Sequence, residues 1–236
     1  MVTLVVNIKE HKAFKTVRAE ELISDIIPPL KFSENGERAM DWMNELRVSH
    51  LPVVNGTEYI GLISENDLYD MPDPSEKLSD YFTVLHKPFI YGNRHVYEVM
   101  KIIADHKITV VPVLDENNAY LGCTDLLYLM SQITAVNSIK EPGSIVVLIM
   151  NKHDYSLTEI ARIVEENNAK VFSSFITSRE DTTEIEVTLK INADNIDRIL
   201  QTFNRYDYTI KATFAKGNFQ EDLKRRYDEL MNFLNM

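Results

Sequence analysis

A serine and an aspartate three residues apart, at the end of an apolar strand, carry the most suggestive chemistry in this chain. In the run Gly61-Leu62-Ile63-Ser64-Glu65-Asn66-Asp67-Leu68, the Ser64 hydroxyl falls where a strand gives way to a helix. The first turn of a helix leaves backbone N–H groups unbonded, so this corner suits a phosphate. One turn on, the Asp67 carboxylate can accept hydrogen bonds from two neighbouring hydroxyls. Gly61, lacking a Cβ, lets a ligand or a backbone approach closely. The same Ser-x-x-Asp spacing also makes a capping box, in which the two side chains only satisfy a helix start. One pair of groups can serve both roles.

No second constellation competes with this one. The chain has no Gly-x-x-x-x-Gly-Lys-Ser/Thr loop, no Gly-x-Gly-x-x-Gly turn and no His-Glu-x-x-His pair. Its six histidines are scattered without metal-ligand spacing. The single cysteine, Cys123, excludes an internal disulfide or a Cys-based zinc cluster and reads as a small buried hydrophobe. Asn55-Gly56-Thr57 has the glycosylation pattern but reads better as a hairpin turn. Trp42 fits helix packing, and Lys224-Arg225-Arg226 a solvated helix face. The expectation is a protein without catalytic or metal chemistry.

The elements that position Ser64 come from an internal repeat. His50-Leu51-Pro52-Val53-Val54 recurs as Val110-Val111-Pro112-Val113-Leu114, a shift of 60. Tyr59-Ile60-Gly61 recurs as Tyr120-Leu121-Gly122 at a shift of 61, the extra residue falling in a turn. Farther upstream, Ile23-Ser24-Asp25 is matched to Leu78-Ser79-Asp80. Each copy reads as helix, strand, strand, helix. In the first, Ala39, Met40, Met43 and Leu46 lie at helical spacing behind Ser33 as N-cap, and Asn55-Gly56 turns the hairpin. The copies span 21–71 and 78–132. Neither buries both faces of so small a sheet alone, so the two are expected to pack together. Residues 72–77, with two prolines and charges, read as a linker. Residues 1–20 match neither copy.

Past Lys140-Glu141-Pro142-Gly143 the pattern changes. Strands are expected at Ser144–Met150, Lys170–Thr177, Glu184–Ile191 and Tyr208–Phe214, with helices at Leu157–Asn167 and Asp194–Phe203. This βαββαβ order is ferredoxin-like and makes the chain α+β. A C-terminal helix over 219–236 follows Gly217, with Leu223, Tyr227, Leu230 and Leu234 on one stripe that needs covering.

Composition agrees with a globular chain: 236 residues, 44% hydrophobic and 26% charged. The formal net charge of −11 argues against a nucleic-acid partner. The longest apolar runs fall short of a membrane span, and Val2–Val6 lacks the flanks of a secretory signal, so a cytoplasmic location is expected.

The repeat and the Gly-apolar-apolar-Ser-x-x-Asp run resemble a tandem pair of CBS domains, the Bateman module that binds adenosyl nucleotides. Residues 144–214 look like an ACT domain, and the order CBS, CBS, ACT is similar to the acetoin-utilisation regulatory protein family. The resemblance implies a non-catalytic sensor of AMP, ADP, ATP or S-adenosylmethionine, with no required cofactor. It implies that Asp67 holds ribose hydroxyls, that Ser64 lies at the phosphate with Gly61 allowing the ligand close, and that His50, Leu51, Pro52 and Pro29 border the purine. His50 either stacks on adenine or is structural. The partners it implies are a nucleotide ligand, a second copy in a homodimer, and a regulated protein, with neither nucleic acid nor membrane. A structural interaction module with degenerate sites is the alternative. The second copy departs from the motif: Asp125 stands in the Ser/Thr slot and Tyr128 in the Asp slot, so at most one nucleotide site per chain is expected. In the ACT-like loop, Tyr155 stands where the family has glycine, which argues against amino-acid binding there and leaves Asp154 and Ser156 as helix-capping residues.

Overall fold

The computed structural model describes residues 18–136, 139–178, 182–215 and 231. The expected N-terminal extension (all but its last three residues) and the C-terminal helix (all but Met231) lie outside these. The chain divides into two units, Met1–Gln132 and Ile133–Met236.

The first unit contains the repeat. Its first half runs β1 (Leu30–Lys31), α1 (Gly36–Leu46), β2 (His50–Asn55), β3 (Glu58–Ser64) and α2 (Glu65–Tyr69). The second half runs α3 (Leu78–Tyr81), β4 (Ile90–Tyr91), α4 (Val96–His106), β5 (Val110–Leu114), β6 (Tyr120–Asp125) and α5 (Leu126–Val136). The sheets are ordered β1-β2-β3 and β4-β5-β6, each a short parallel strand beside an antiparallel hairpin. Leu30 pairs with Val53 and Ile90 with Val113, so the registers repeat at a shift of 60. Valine-rich β2 and β5 suit a buried pleat, and the hairpin turns contain Gly56 at φ +63° and Asn118 at φ +64°. Arg47 and Lys107 end α1 and α4 in the same left-handed conformation.

The halves exchange their leading segments. Leu78 N–H donates to Glu34 O and Ser79 N–H to Phe32 O in the first half, as Ala19 donates to Arg94 O and Glu20 to Gly92 O in the second. The structural partner of Leu78 is therefore Ala19, not Ile23. A three-residue apolar-Ser-Asp match is too short to set a register that backbone hydrogen bonds decide. Leu85 likewise crosses onto Gly61, and Ile23 onto Gly122. The two hairpins meet through Tyr120 N–H to Thr57 O, with the Tyr59 and Tyr120 rings stacked at 6.4 Å. One hydrophobic cluster accordingly draws Leu51, Val53 and Ile63 from one half and Val110 and Cys123 from the other.

Two local expectations are corrected. Asn35, not Ser33, caps α1, its side chain accepting from Arg38 N–H. The proline-rich stretch 72–77 is packed against the start of α1: Pro74 O accepts from Glu37 N–H, and Asn35 bridges to Lys77.

The second unit runs β7 (Ser144–Asn151), α6 (Leu157–Glu166), β8 (Val171–Ser178), β9 (Glu184–Ile191), α7 (Asp197–Arg205) and β10 (Thr209–Phe214). Its sheet is antiparallel in the order β10-β7-β9-β8. Alternation puts Ile185, Val187, Leu189 and Ile191 on one face, where Ile160, Ile163 and Val164 of α6 and Ile199 and Phe203 of α7 cover them. Helix α7 starts three residues later than expected, because Asn195 forms a turn by accepting from Asp197 N–H. Among the described residues no helix is long and apolar enough to cross a membrane.

Candidate functional site

The antiparallel pairing of β2 and β3 sets His50 directly opposite Ser64. Ser64 leaves the strand in an extended conformation (φ −101°, ψ 161°) and becomes the N-cap of α2. Its Oγ accepts from Asp67 N–H at 3.1 Å and donates to Asp67 Oδ2 at 2.6 Å, and Ser64 N–H donates to the same oxygen at 2.8 Å. The capping box is thus fully formed. Both bonds to the carboxylate end on Oδ2, and Oδ1 takes none among the described residues. Ser64 and Asp67 are half-buried.

The helix start offers little to a phosphate. Glu65 N–H is bonded to Ser49 O at 3.0 Å, and Asp67 N–H is satisfied by Ser64. With only five residues, α2 also carries a small dipole. The expected phosphate cradle at Ser64 is therefore largely spent on the fold itself.

His50 is half-buried and tied to the other half of the repeat. Its Nδ1 accepts from Thr109 N–H at 3.3 Å and lies 3.2 Å from Thr109 Oγ1, which in turn accepts from Ser49 N–H at 3.1 Å. An accepting Nδ1 assigns the neutral ring with its proton on Nε2. Burial lowers the His50 pKa; the Asp67 and Glu65 carboxylates oppose the shift, and His86 adds to it. Its surroundings are acidic and imidazole-bearing: the His86 and His106 rings lie 5.1 Å apart.

The remaining expected purine residues divide differently. Leu51 is fully buried in the shared core and Pro52 is buried beside it, so their side chains hold the sheet and do not border an opening. Pro29, half-buried, precedes β1 and reaches the level of Pro52 through the Leu30–Val53 register. Gly61 is packed closely by the chain: a Cβ there would collide with Leu85 Cβ and lie 3.0 Å from His86 O. His50, Ser64 and Asp67 are brought together; Leu51, Pro52 and Gly61 serve packing. Sequence reading missed Thr109 and Ser49 as the link between halves, although the two positions are related by the same shift of 60 as the strands that follow them. Nothing local marked His86.

In the second half the motif is inverted. Asp125 Oδ1 accepts from Tyr128 N–H at 2.8 Å, so the carboxylate itself caps the helix start. Thr124 is fully buried, and its Oγ1 has no hydrogen-bond partner among the described residues.

In the second unit the β7–α6 loop is held by Asn151, which accepts from His153 N–H, and by Ser156, which caps α6 by accepting from Glu159 N–H. Among the described residues Asp154 forms no capping bond; it borders a cleft of about 280 Å³ with Glu159 and Asp207. Tyr155 packs against the unit's core. A shallower cleft of about 450 Å³ in the first unit lies between Ser33, Arg38 and Lys77. Neither cleft includes Ser64 or Asp67. Among the described residues no group of three or more His, Cys, Asp or Glu is placed to hold a metal ion.

Comparison with known proteins bears on the first unit. Inosine-5'-monophosphate dehydrogenase of Bacillus subtilis is 28% identical over 130 residues, 53% of this chain and 27% of that enzyme. The chain thus spans about a quarter of that curated relative. A CBS domain pair/ACT domain protein of Thermotoga maritima is similar with a TM-score of 0.45 at 14% identity, over 50% of this chain and 98% of that one. CBSX2, solved in complex with AMP, is similar with a TM-score of 0.44 at 14% identity, over 51% of this chain and 98% of that one. Residues 12–72 match the CBS domain family. The second half of the first unit repeats the first in topology, register and helix ends, so the unit is a tandem repeat whose first copy holds most of the segment that matches the CBS domain family.

Proposed function

We propose that this chain is a non-catalytic regulatory protein whose CBS pair binds an adenosine-containing ligand beside Ser64, Asp67 and His50. The observation that carries the reading is the Asp67 carboxylate. It is half-buried, locked in orientation by Ser64, and has Oδ1 unengaged, which is the preorganised acceptor that a pair of ribose hydroxyls needs. S-adenosylmethionine, AMP, ADP and ATP all present the ribose diol that this carboxylate would hold.

In the same reading the second unit is ACT-like and serves relay and dimerisation, in the domain order of the acetoin-utilisation regulatory proteins. Strand β8 supports this: it is a sheet edge with Phe172, Phe175 and Ile176 exposed, a surface suited to pairing with a second copy. A ligand shifts the pair only by binding two of its arrangements unequally, and a regulated protein would read that shift.

Isothermal calorimetry and thermal shift with the four ligands test the proposal. At least one stabilises the chain, and Asp67→Ala weakens that response by about 1.5–3 kcal/mol, the range for hydrogen bonds to a charged group. Silence toward all four overturns it. The filling of the space beside Gly61 by Leu85, and the spent N–H groups of α2, favour a second reading. This is a structural interaction module with degenerate sites, for which all four ligands are silent while self-association persists.

A further inference from the structure

The two halves of the repeat meet at Ser49 and Thr109, a pair related by its shift of 60, each just ahead of a central strand. Their carbonyls are used alike. Ser49 O accepts from the N–H of Glu65, the first residue of α2, and Thr109 O from the N–H of Leu126, the first residue of α5. Their N–H groups cross to the opposite half and are used unalike. Ser49 N–H donates to the Thr109 hydroxyl at 3.1 Å, whereas Thr109 N–H donates to the His50 ring, where Nδ1 accepts at 3.3 Å. Nδ1 also lies 3.2 Å from Thr109 Oγ1. A hydroxyl accepts whatever the pH; an imidazole nitrogen accepts only while it keeps a free lone pair.

We infer that His50 is a proton-operated latch between the two halves: neutral, its Nδ1 holds the Thr109 backbone, and protonated, it lets that backbone go. Protonation puts a hydrogen on Nδ1, which then faces Thr109 N–H as donor against donor. The Thr109 hydroxyl loses nothing. It has two lone pairs, so by turning it accepts from Nδ1–H and keeps the bond from Ser49 N–H. Acid therefore cuts one of the two crossing N–H bonds and spares the other. The latch is built once, because Val110 stands in the second half where the first has His50.

The groups around His50 set the direction. The Asp67 and Glu65 carboxylates of α2 favour the charged ring. His86, on the segment ahead of β4, disfavours it and lies against His106 at the end of α4. Burial outweighs the carboxylates and lowers the His50 pKa from 6.5, so the latch is closed at neutral pH and opens on acidification. Because Thr109 also holds the start of α5, its release lets protons bias the pair between two arrangements. The device needs no ligand, and it stands or falls apart from the nucleotide site.

Hydrogen exchange of the isotope-labelled full chain, without ligand, tests it by NMR. Protection factors of the Ser49 and Thr109 amides are followed from pH 8 down through the titration of the His50 ring, which its imidazole nitrogens report. At pH 8 the ring proton is expected on Nε2. As the ring titrates, protection of Thr109 should fall about tenfold or more relative to Ser49, the loss expected for a donor left without an acceptor. His50→Asn keeps an acceptor one bond from Cγ and removes the titration, so Thr109 protection should then follow Ser49 at every pH. If that variant folds poorly, the contrast between the two amides in the parent chain decides the matter. A proton on Nδ1 at pH 8, a ring that stays neutral until the chain unfolds, or equal losses at Ser49 and Thr109 overturns the latch. So does a Thr109 loss that tracks the His86 or His106 ring, or one that persists in His50→Asn.

Discussion

Gly61→Ala should destabilise the first unit by about 1–3 kcal/mol, the range for forcing an extra methyl group into a filled core. The penalty is spatial. No left-handed backbone is involved at Gly61, whereas Gly122, its repeat partner, lies at φ +151°. An added Cβ would overlap Leu85 Cβ and press on His86 O at 3.0 Å, the carbonyl that accepts from Leu62 N–H at 2.8 Å. Neither neighbour is the loose end of a side chain. Relief therefore requires moving the backbone of the exchanged segment, and with it the hydrogen bond that ties that segment to β3.

Because the collision is with Leu85 Cβ, a companion substitution separates this account from ordinary crowding. Leu85→Ala keeps the Cβ; it costs about 2–5 kcal/mol alone, and Gly61→Ala adds its full penalty on top. Leu85→Gly removes the Cβ at a further 0.5–1 kcal/mol or so of backbone freedom, and Gly61→Ala should then be nearly neutral. The expected coupling is about 0.5–3 kcal/mol in the second pair and close to zero in the first. Urea unfolding followed by Trp42 fluorescence measures all five variants. That residue is the chain's single tryptophan and sits on α1 against the shared cluster, so the signal belongs to this unit. A Gly61→Ala penalty under about 0.5 kcal/mol, typical of a surface change, or equal rescue by both substitutions, would refute the exchanged-segment packing.

Asp67→Ala also removes the acceptor for Ser64 N–H and Oγ, so it should cost about 0.5–2 kcal/mol of unliganded stability, visible in the urea midpoint. The His50 pKa is lowered from 6.5 by burial, so the unfolded chain binds the proton more readily than the folded one; stability should fall as pH drops below about 6.5. Urea midpoints at pH 8 and pH 5 for parent and His50→Gln isolate this term, and an identical pH response in both would remove it. Burial pushes the Cys123 thiol up to about 11, so a disulfide-exchange reagent should modify it only as urea unfolds the first unit. Calorimetry with any ligand that binds should return one site per chain, since only the first half keeps the serine-aspartate pair; two equivalent sites would contradict that assignment.

The strands and hairpins were legible because their signals are local. Alternation in Glu184–Ile191 gives the observed strand to the residue, and Asn55-Gly56 turns the hairpin where expected. The capping reading of Ser64 and Asp67 was equally local, and the structure forms it. What escaped was every feature set by a distant segment. Gly61 looks the same in sequence whether a ligand or Leu85 fills the space beside it. Leu51 reads as a pocket wall or as core depending on what the second half places over it. The Ala19–Leu78 correspondence is carried by backbone groups, which leave no residue signature.

The asymmetry between the halves follows from which residue caps the helix. At Ser64 a neutral hydroxyl takes the cap, and its carboxylate partner stands one turn on, oriented but with one oxygen to spare. At the matching position Asp125 takes the cap itself, and its own charge satisfies Tyr128 N–H. The second helix start thus has the stronger cap, since a charged acceptor bonds an N–H more strongly than a hydroxyl does. It has lost the acceptor one turn on, where Tyr128 stands. Nor can Thr124 restore the hydroxyl by sliding the turn, because its side chain is sealed in the core. Moving one carboxylate by three residues therefore exchanges an oriented carboxylate with an oxygen to spare for a firmer helix, and it does so in only one of two halves whose backbones pair in the same register.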